Sequence, residues 1–141
     1  MKRLKKVIVF LLISTAFIFT IAFGTKYYFT QYEKQTDERI EKVIEFQGAT
    51  RENIEREYVN YNKTSDFLGK TVYFKDDPGI EYQYLVRRGQ NRVLVSAKQD
   101  GVPLENIKKR AKFPTHTVEF DENNEIVKVT DWRTNKVLYK K

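Results

Sequence analysis

Three carboxylates crowd one turn of this sequence: Asp76, Asp77 and Glu81, around Lys75-Asp76-Asp77-Pro78-Gly79. Acids placed near one another can serve as general acid and base, so a hydrolase using Asp76 or Glu81 is one reading. Carboxylate oxygens also hold hard cations such as calcium, but a dedicated loop repeats its ligands at alternating positions, and that spacing is missing here. Asp side chains stabilise turns by local hydrogen bonds, Pro fixes φ, and Gly permits a positive one. A turn-forming role is therefore the expectation for this group.

The other reactive residue types lack companions. His116 is the only histidine, and a general base needs an orienting partner and a nucleophile, neither of which can be nominated. It reads as a strand-edge residue. Ser65 and Ser96 sit in neither a Gly-x-Ser-x-Gly elbow nor a Ser-x-x-Lys pattern. Neither a phosphate loop nor a dinucleotide fingerprint occurs. With no cysteine, thiol nucleophiles, thiolate metal sites and disulfides are excluded. No catalytic residue, cofactor or metal is assigned, and an enzyme is not the expectation.

Two groups suit binding. Lys108, Lys109, Arg110 and Lys112 form the sharpest basic cluster, suited to anionic lipid headgroups or wall polymer at about 1 kcal/mol per charge close to a membrane. The plainer reading is the solvated face of a short helix. Tyr73, Tyr82 and Tyr84 could stack on sugar, although cross-strand aromatic pairs in a sheet core are the commoner outcome. Asn62-Lys63-Thr64 matches a glycosylation acceptor and is read as a turn.

The net charge of +7 suggests nucleic acid until it is divided along the chain. Residues 1–29 hold five basic groups (Lys2, Arg3, Lys5, Lys6, Lys26) and no acid, so the rest is nearly neutral. Residues 30–86 are net acidic and residues 87–141 net basic. Such polarity can orient a domain on an anionic surface. Nucleic acid is not expected, because the basic cluster lacks interleaved aromatics.

Val7 to Phe23 carries no charge. As a helix its 17 residues span roughly 25 Å, near the lower limit for crossing a bilayer core. Four basic residues precede it, and Lys26 with Tyr27, Tyr28, Phe29 and Tyr32 follow it, as an interfacial aromatic belt would. The excess of positive charge before the segment puts the N-terminus in the cytoplasm and the rest outside. A cleavable signal peptide competes, with Ala22-Phe23-Gly24 as cleavage site, but the apolar run is long for one and aromatics crowd the site.

The next pattern is helical. Tyr32, Thr36, Ile40, Val43, Ile44 and Gln47 make one stripe on a charged helix over residues 30–47, and Gly48 is placed to cap it. With neither Pro nor Gly between Thr25 and Gln47, the two helices can join with little interruption. Strands are expected at Ile54–Tyr61, Lys70–Phe74, Ile80–Arg87 and Arg92–Lys98. A short helix is expected over Pro103–Lys112, with Leu104, Ile107, Lys108 and Ala111 on one face. Further strands are expected at Thr117–Phe120, Ile126–Thr130 and Val137–Tyr139.

The lysine-flanked apolar start, then ERIEKVIEFQGATRENI, then VYFKDDPGIEYQYLV, resembles the domain of unknown function 3139 family, small membrane proteins of Gram-positive Firmicutes. Gly48, Phe74-Lys75-Asp76-Asp77-Pro78 and Tyr82 to Tyr84 carry the likeness, which extends over roughly residues 5–100. The resemblance implies a membrane location and a fold, and it transfers no catalytic residue.

The expected architecture is α+β: an N-terminal transmembrane helix, then a small domain in which one amphipathic helix packs on an antiparallel β-meander. Residues 1–29 form the anchor or signal segment and residues 30–141 an extracytoplasmic domain. The expected function is a non-enzymatic interaction or regulatory module held at the membrane by its helix, meeting another envelope protein or an anionic wall polymer. The alternatives are a secreted envelope factor or inhibitor released by cleavage after Gly24, and a cell-surface hydrolase.

Overall fold

Helical spacing from the N-terminus to Gly48 is realised as one element, α1 (Lys2–Phe46). The computed structural model describes residues 1–61 and 66–141. Two compact units divide the chain, Met1–Lys34 and Gln35–Lys141, and α1 contributes residues to both.

In the first unit, Val7 to Phe23 is exposed apart from the half-buried Ser14. The helix that carries it is long and apolar enough over Arg3–Phe46 to cross a membrane, and none of its most apolar stretch is buried. Thr15, Thr20 and Thr25 donate their hydroxyls to carbonyls one turn back, at Leu11, Ala16 and Ile21. Backbone oxygens thereby absorb the polar groups of an otherwise greasy helix.

In the second unit, α1 ends in a Schellman motif. Gly48 takes φ +78, Gly48 N–H donates to Glu45 O at 2.9 Å, and Ala49 N–H donates to Ile44 O at 3.1 Å. The chain then enters an eight-stranded antiparallel sheet: β1 (Ile54–Tyr61), β2 (Phe67–Phe74), β3 (Glu81–Arg87), β4 (Arg92–Gln99), β5 (Val102–Pro103), β6 (His116–Phe120), β7 (Ile126–Asp131) and β8 (Lys136–Lys140). The spatial order is β1-β2-β3-β4-β6-β7-β8, with the two-residue β5 paired to the end of β4.

Alternation decides the faces. Val72, Phe74, Tyr82, Tyr84, Val86, Val93, Val95, Ala97, Val118, Phe120 and Val129 point to one side and are buried with Ile40, Val43 and Ile44 of α1. Each buried aliphatic or aromatic side chain contributes about 1.5–3 kcal/mol, more than a surface ion pair at about 0–1 kcal/mol. Apolar burial therefore drives helix docking, and polar contacts fix its register. Arg39, buried at 3% exposure, donates to Asn124 Oδ1 at 2.5 Å, Asn91 Oδ1 at 3.3 Å and Gln90 O at 3.4 Å. Its guanidinium lies 5.4 Å from the centre of the Phe120 ring. One helix residue is thus fastened to both the β3–β4 and β6–β7 turns.

Lys70 is the second polar fastening. Its side chain is 2% exposed, and Nζ lies 2.5 Å from Asp37, 3.0 Å from Glu41 and 3.8 Å from Glu57. Arg51 joins the same carboxylates, 2.8 Å from Glu41 and 3.3 Å from Glu57. Burial pulls the Lys70 pKa down, but its bonds to Asp37 and Glu41 more than reverse this and leave it above the usual lysine value.

Seven strands lie at or near their expected positions, β2 begins at Phe67 rather than Lys70, β5 is an addition, and the expected helix over Pro103–Lys112 does not form. Pro103 is extended and pairs with Lys98. A single 3-10 turn covers Leu104–Ile107, and Lys108 ends it in the left-handed region at φ 54. Leu104 is fully buried while Ile107 is 45% exposed. One buried anchor here mimics a helical stripe in sequence.

Candidate functional site

The acidic turn is a clasp. Asp77 Oδ2 accepts the Tyr82 hydroxyl at 2.5 Å and Lys112 N–H at 3.1 Å. Asp76 accepts from Asn53 Nδ2 at 2.5 Å and pairs with the Lys112 ammonium. The bonds from Lys112 and then Asn53 hold the Asp76 carboxyl below the usual range. Glu81 turns to other partners, the Tyr73 hydroxyl at 3.0 Å and Gln83 Nε2 at 2.6 Å. The three acids therefore do not converge, and no metal-holding group of three or more such residues occurs among the described residues.

Strand alternation also separates the three tyrosines. Tyr82 and Tyr84 are fully buried on the helix-covered face. Tyr84 donates to Gln47 Oε1 at 2.7 Å, and Gln47 Nε2 donates onward to Pro114 O at 2.5 Å. Burial pushes both phenols above the ordinary tyrosine value. Tyr73 points the other way. It packs edge-on against Tyr58 at 6.2 Å, with the Arg56 guanidinium 4.6 Å from its ring centre. A three-tyrosine sugar platform is thereby ruled out, and the core-packing expectation holds for Tyr82, which meets Phe74 edge-on at 5.2 Å.

His116 is 5% exposed, within β6 rather than at an exposed strand edge, and its Nδ1 has no hydrogen-bond partner. Burial lowers its pKa, against the opposing charge of Asp131 directly across the β6–β7 pair. Ser96 lies mid-strand in β4, paired with Gln83. Ser65 and Asn62-Lys63-Thr64 fall outside the described residues.

The basic cluster lies on no regular helix, and its side chains have different surroundings. Lys112 is taken by Asp76, and Lys109 Nζ donates to Gln99 Oε1 at 3.0 Å. Lys108 supplies the left-handed stop. Arg110 alone faces a groove of about 440 Å³, which it shares with Thr115, Asp131, Arg133 and Thr134. The partnership of Arg110 with Arg133 was not legible in the sequence, where 22 residues and two strands intervene. A second groove, about 540 Å³, lies between the end of α1 and β8, with Phe46 and Tyr139 meeting edge-on at 6.0 Å.

Among the described residues, β1 and β8 each pair with a strand on one side only. Tyr58 and Val59 of β1 are each 55% exposed, and all five residues of β8 are exposed, including Val137, Leu138 and Tyr139.

No curated protein and no solved structure matches the chain. One family model does, over residues 2–84. That span ends within β3, short of the 5–100 read from the sequence, so the clasp residues Lys112 and Phe113 lie beyond it. Because the match covers more than half of the sequence, the chain belongs to the family described as protein of unknown function, DUF3139.

Proposed function

We propose that this protein is a membrane-tethered, non-enzymatic interaction module, with residues 1–29 as a single-pass anchor and residues 30–141 as a domain outside the cytoplasm. The observation that carries the reading is the exposed apolar stretch Val7–Phe23, preceded by four basic residues. The apolar run is longer than the usual core of a signal peptide and aromatics crowd Ala22-Phe23-Gly24, which favours retention over cleavage. Open sheet edges offer unpaired backbone groups for a partner strand, and the segment Lys108, Lys109, Arg110 and Lys112 offers charge to anionic headgroups or wall polymer.

Protease treatment of intact protoplasts tests the placement. Loss of the C-terminal portion from a full-length, membrane-fractionated protein is expected. A protected C-terminus, or a mature chain starting at Thr25, would overturn the topology or the anchor respectively. Photo-crosslinking from Leu138 in intact cells is expected to give a discrete adduct with an envelope component, and recovery of the unmodified protein alone would sink the interaction role.

A further inference from the structure

We infer that the groove between the 110–115 segment and the β7–β8 turn is a binding site for a phosphate ester, held by Arg110 and Arg133. This deepens the reading above by naming a ligand class. It rests on that reading only for where the ligand is met, because phosphate binding itself does not depend on topology.

Two guanidinium side chains line one groove of about 440 Å³. Arg110 has no hydrogen-bond or ion-pair partner among the described residues. Among the described residues Arg133 makes one ion pair, with Glu105 at 3.9 Å, the outer limit of such a contact. One acid, Asp131, shares the lining, and its Oδ1 accepts Arg133 N–H at 2.8 Å and Thr134 N–H at 3.2 Å, bonds that orient the carboxylate without neutralising it. Two guanidinium groups against this one carboxylate leave the lining with an excess of positive charge, which a bound anion offsets. Guanidinium forks match tetrahedral oxyanions through paired N–H donors.

Hydroxyls complete the lining. Thr134 Oγ1 accepts Lys136 N–H at 3.3 Å, which leaves its own proton free to donate. Thr115 lines the same groove. The volume exceeds that of one phosphate, so a phosphodiester with flanking glycerol carbons fits the space. Such a group occurs in anionic phospholipid headgroups and in soluble or polymeric glycerol phosphates.

The single tryptophan provides a reporter. The Arg133 guanidinium lies 5.9 Å from the Trp132 ring centre, so an anion that draws Arg133 into the groove changes Trp132 emission. The test uses the full chain in neutral detergent, titrated with inorganic phosphate and with glycerophosphoglycerol at fixed ionic strength, with equilibrium dialysis of labelled phosphate as a second measurement. Saturable binding is expected, weakened about tenfold by Arg110→Gln, unchanged by Arg87→Gln at the exposed end of β3, and accompanied by an unaltered far-ultraviolet circular dichroism spectrum. Incorporation into nanodiscs with and without phosphatidylglycerol separates the sources. Loss of phosphate binding only with the anionic lipid identifies the headgroup, and retention in both identifies a soluble ester. No phosphate retained in dialysis, or equal affinity in the Arg110→Gln and parent proteins, would overturn the site while leaving the membrane topology untouched.

Discussion

The Tyr82 hydroxyl donates to Asp77 Oδ2 at 2.5 Å and accepts Phe113 N–H at 3.1 Å. One phenol thus joins the acidic turn to a segment more than thirty residues later. Asp77 and Tyr82 belong to the portion that matches the family, and Phe113 does not. The acidic turn, inside the matched span, is in this chain the receptor for Lys112 and Phe113, which lie outside it.

Tyr82→Phe keeps the ring against Phe74 and Phe113 but strips the Phe113 N–H of its acceptor. A buried donor left unpaired costs about 1–3 kcal/mol. Urea unfolding of the full chain in detergent is expected to show that loss. An unchanged midpoint would mean that the clasp does not hold the 112–115 segment.

Removing Lys70 leaves Asp37, Glu41 and Glu57 facing one another, with Arg51 as their remaining cation. Lys70→Ala is expected to destabilise by about 3 kcal/mol, near the lower end for a broken buried pair because the carboxylates are partly exposed. Lys70→Met with Asp37→Asn and Glu41→Gln should recover much of this loss. The pH window follows from the shifts. The Lys70 pKa is raised, so its contribution is complete below 10.5 and fades as pH climbs through the folded value. Burial raises the Asp37 pKa, but Lys70 more than offsets it and leaves it lowered. The Asp37 contribution is therefore present above 3.8 and lost as pH falls below it. Thermal midpoints measured across both windows check each sign.

His116 gives a separate dependence at milder pH. Its folded pKa is lowered by burial, so the unfolded chain takes up the proton first once pH drops below 6.5. Stability is expected to decline from that point toward the folded value and then level off. His116→Gln should flatten the slope there while leaving the more acidic loss in place. An identical slope in both proteins would place the titrating group elsewhere.

Gly69 of β2 pairs with Leu85 of β3. A Cβ built on it would lie 2.4 Å from Tyr84 O and 2.8 Å from Leu85 Cδ2. The carbonyl is backbone and can move only with its strand. Gly69→Ala is expected to cost about 1–3 kcal/mol, despite Ala being the better residue for an open strand. Denaturation of Gly69→Ala beside Gly24→Ala, whose Cβ meets nothing within 4 Å, separates steric conflict from a general glycine effect.

Elements with local signals were readable from the amino-acid order alone. Val7–Phe23 declares an apolar segment by composition. Alternation at Ile80, Tyr82, Tyr84 and Val86 declares a buried face, and Gly48 declares the end of the helix, because backbone sterics and side-chain periodicity act over a few residues. Tertiary structure decided what depends on distant partners. It made Arg39 a core residue by bringing Asn91, Asn124 and Phe120 to it, assigned Asp76 and Asp77 to Lys112 and Tyr82, and brought Arg110 and Arg133 to one groove. The spacing of Leu104, Ile107 and Ala111 imitated a helix, and only packing of Leu104 together with the left-handed Lys108 broke that imitation. A charged side chain carries no sequence mark of its partner, because strand pairing, not chain proximity, brings opposite or like charges together.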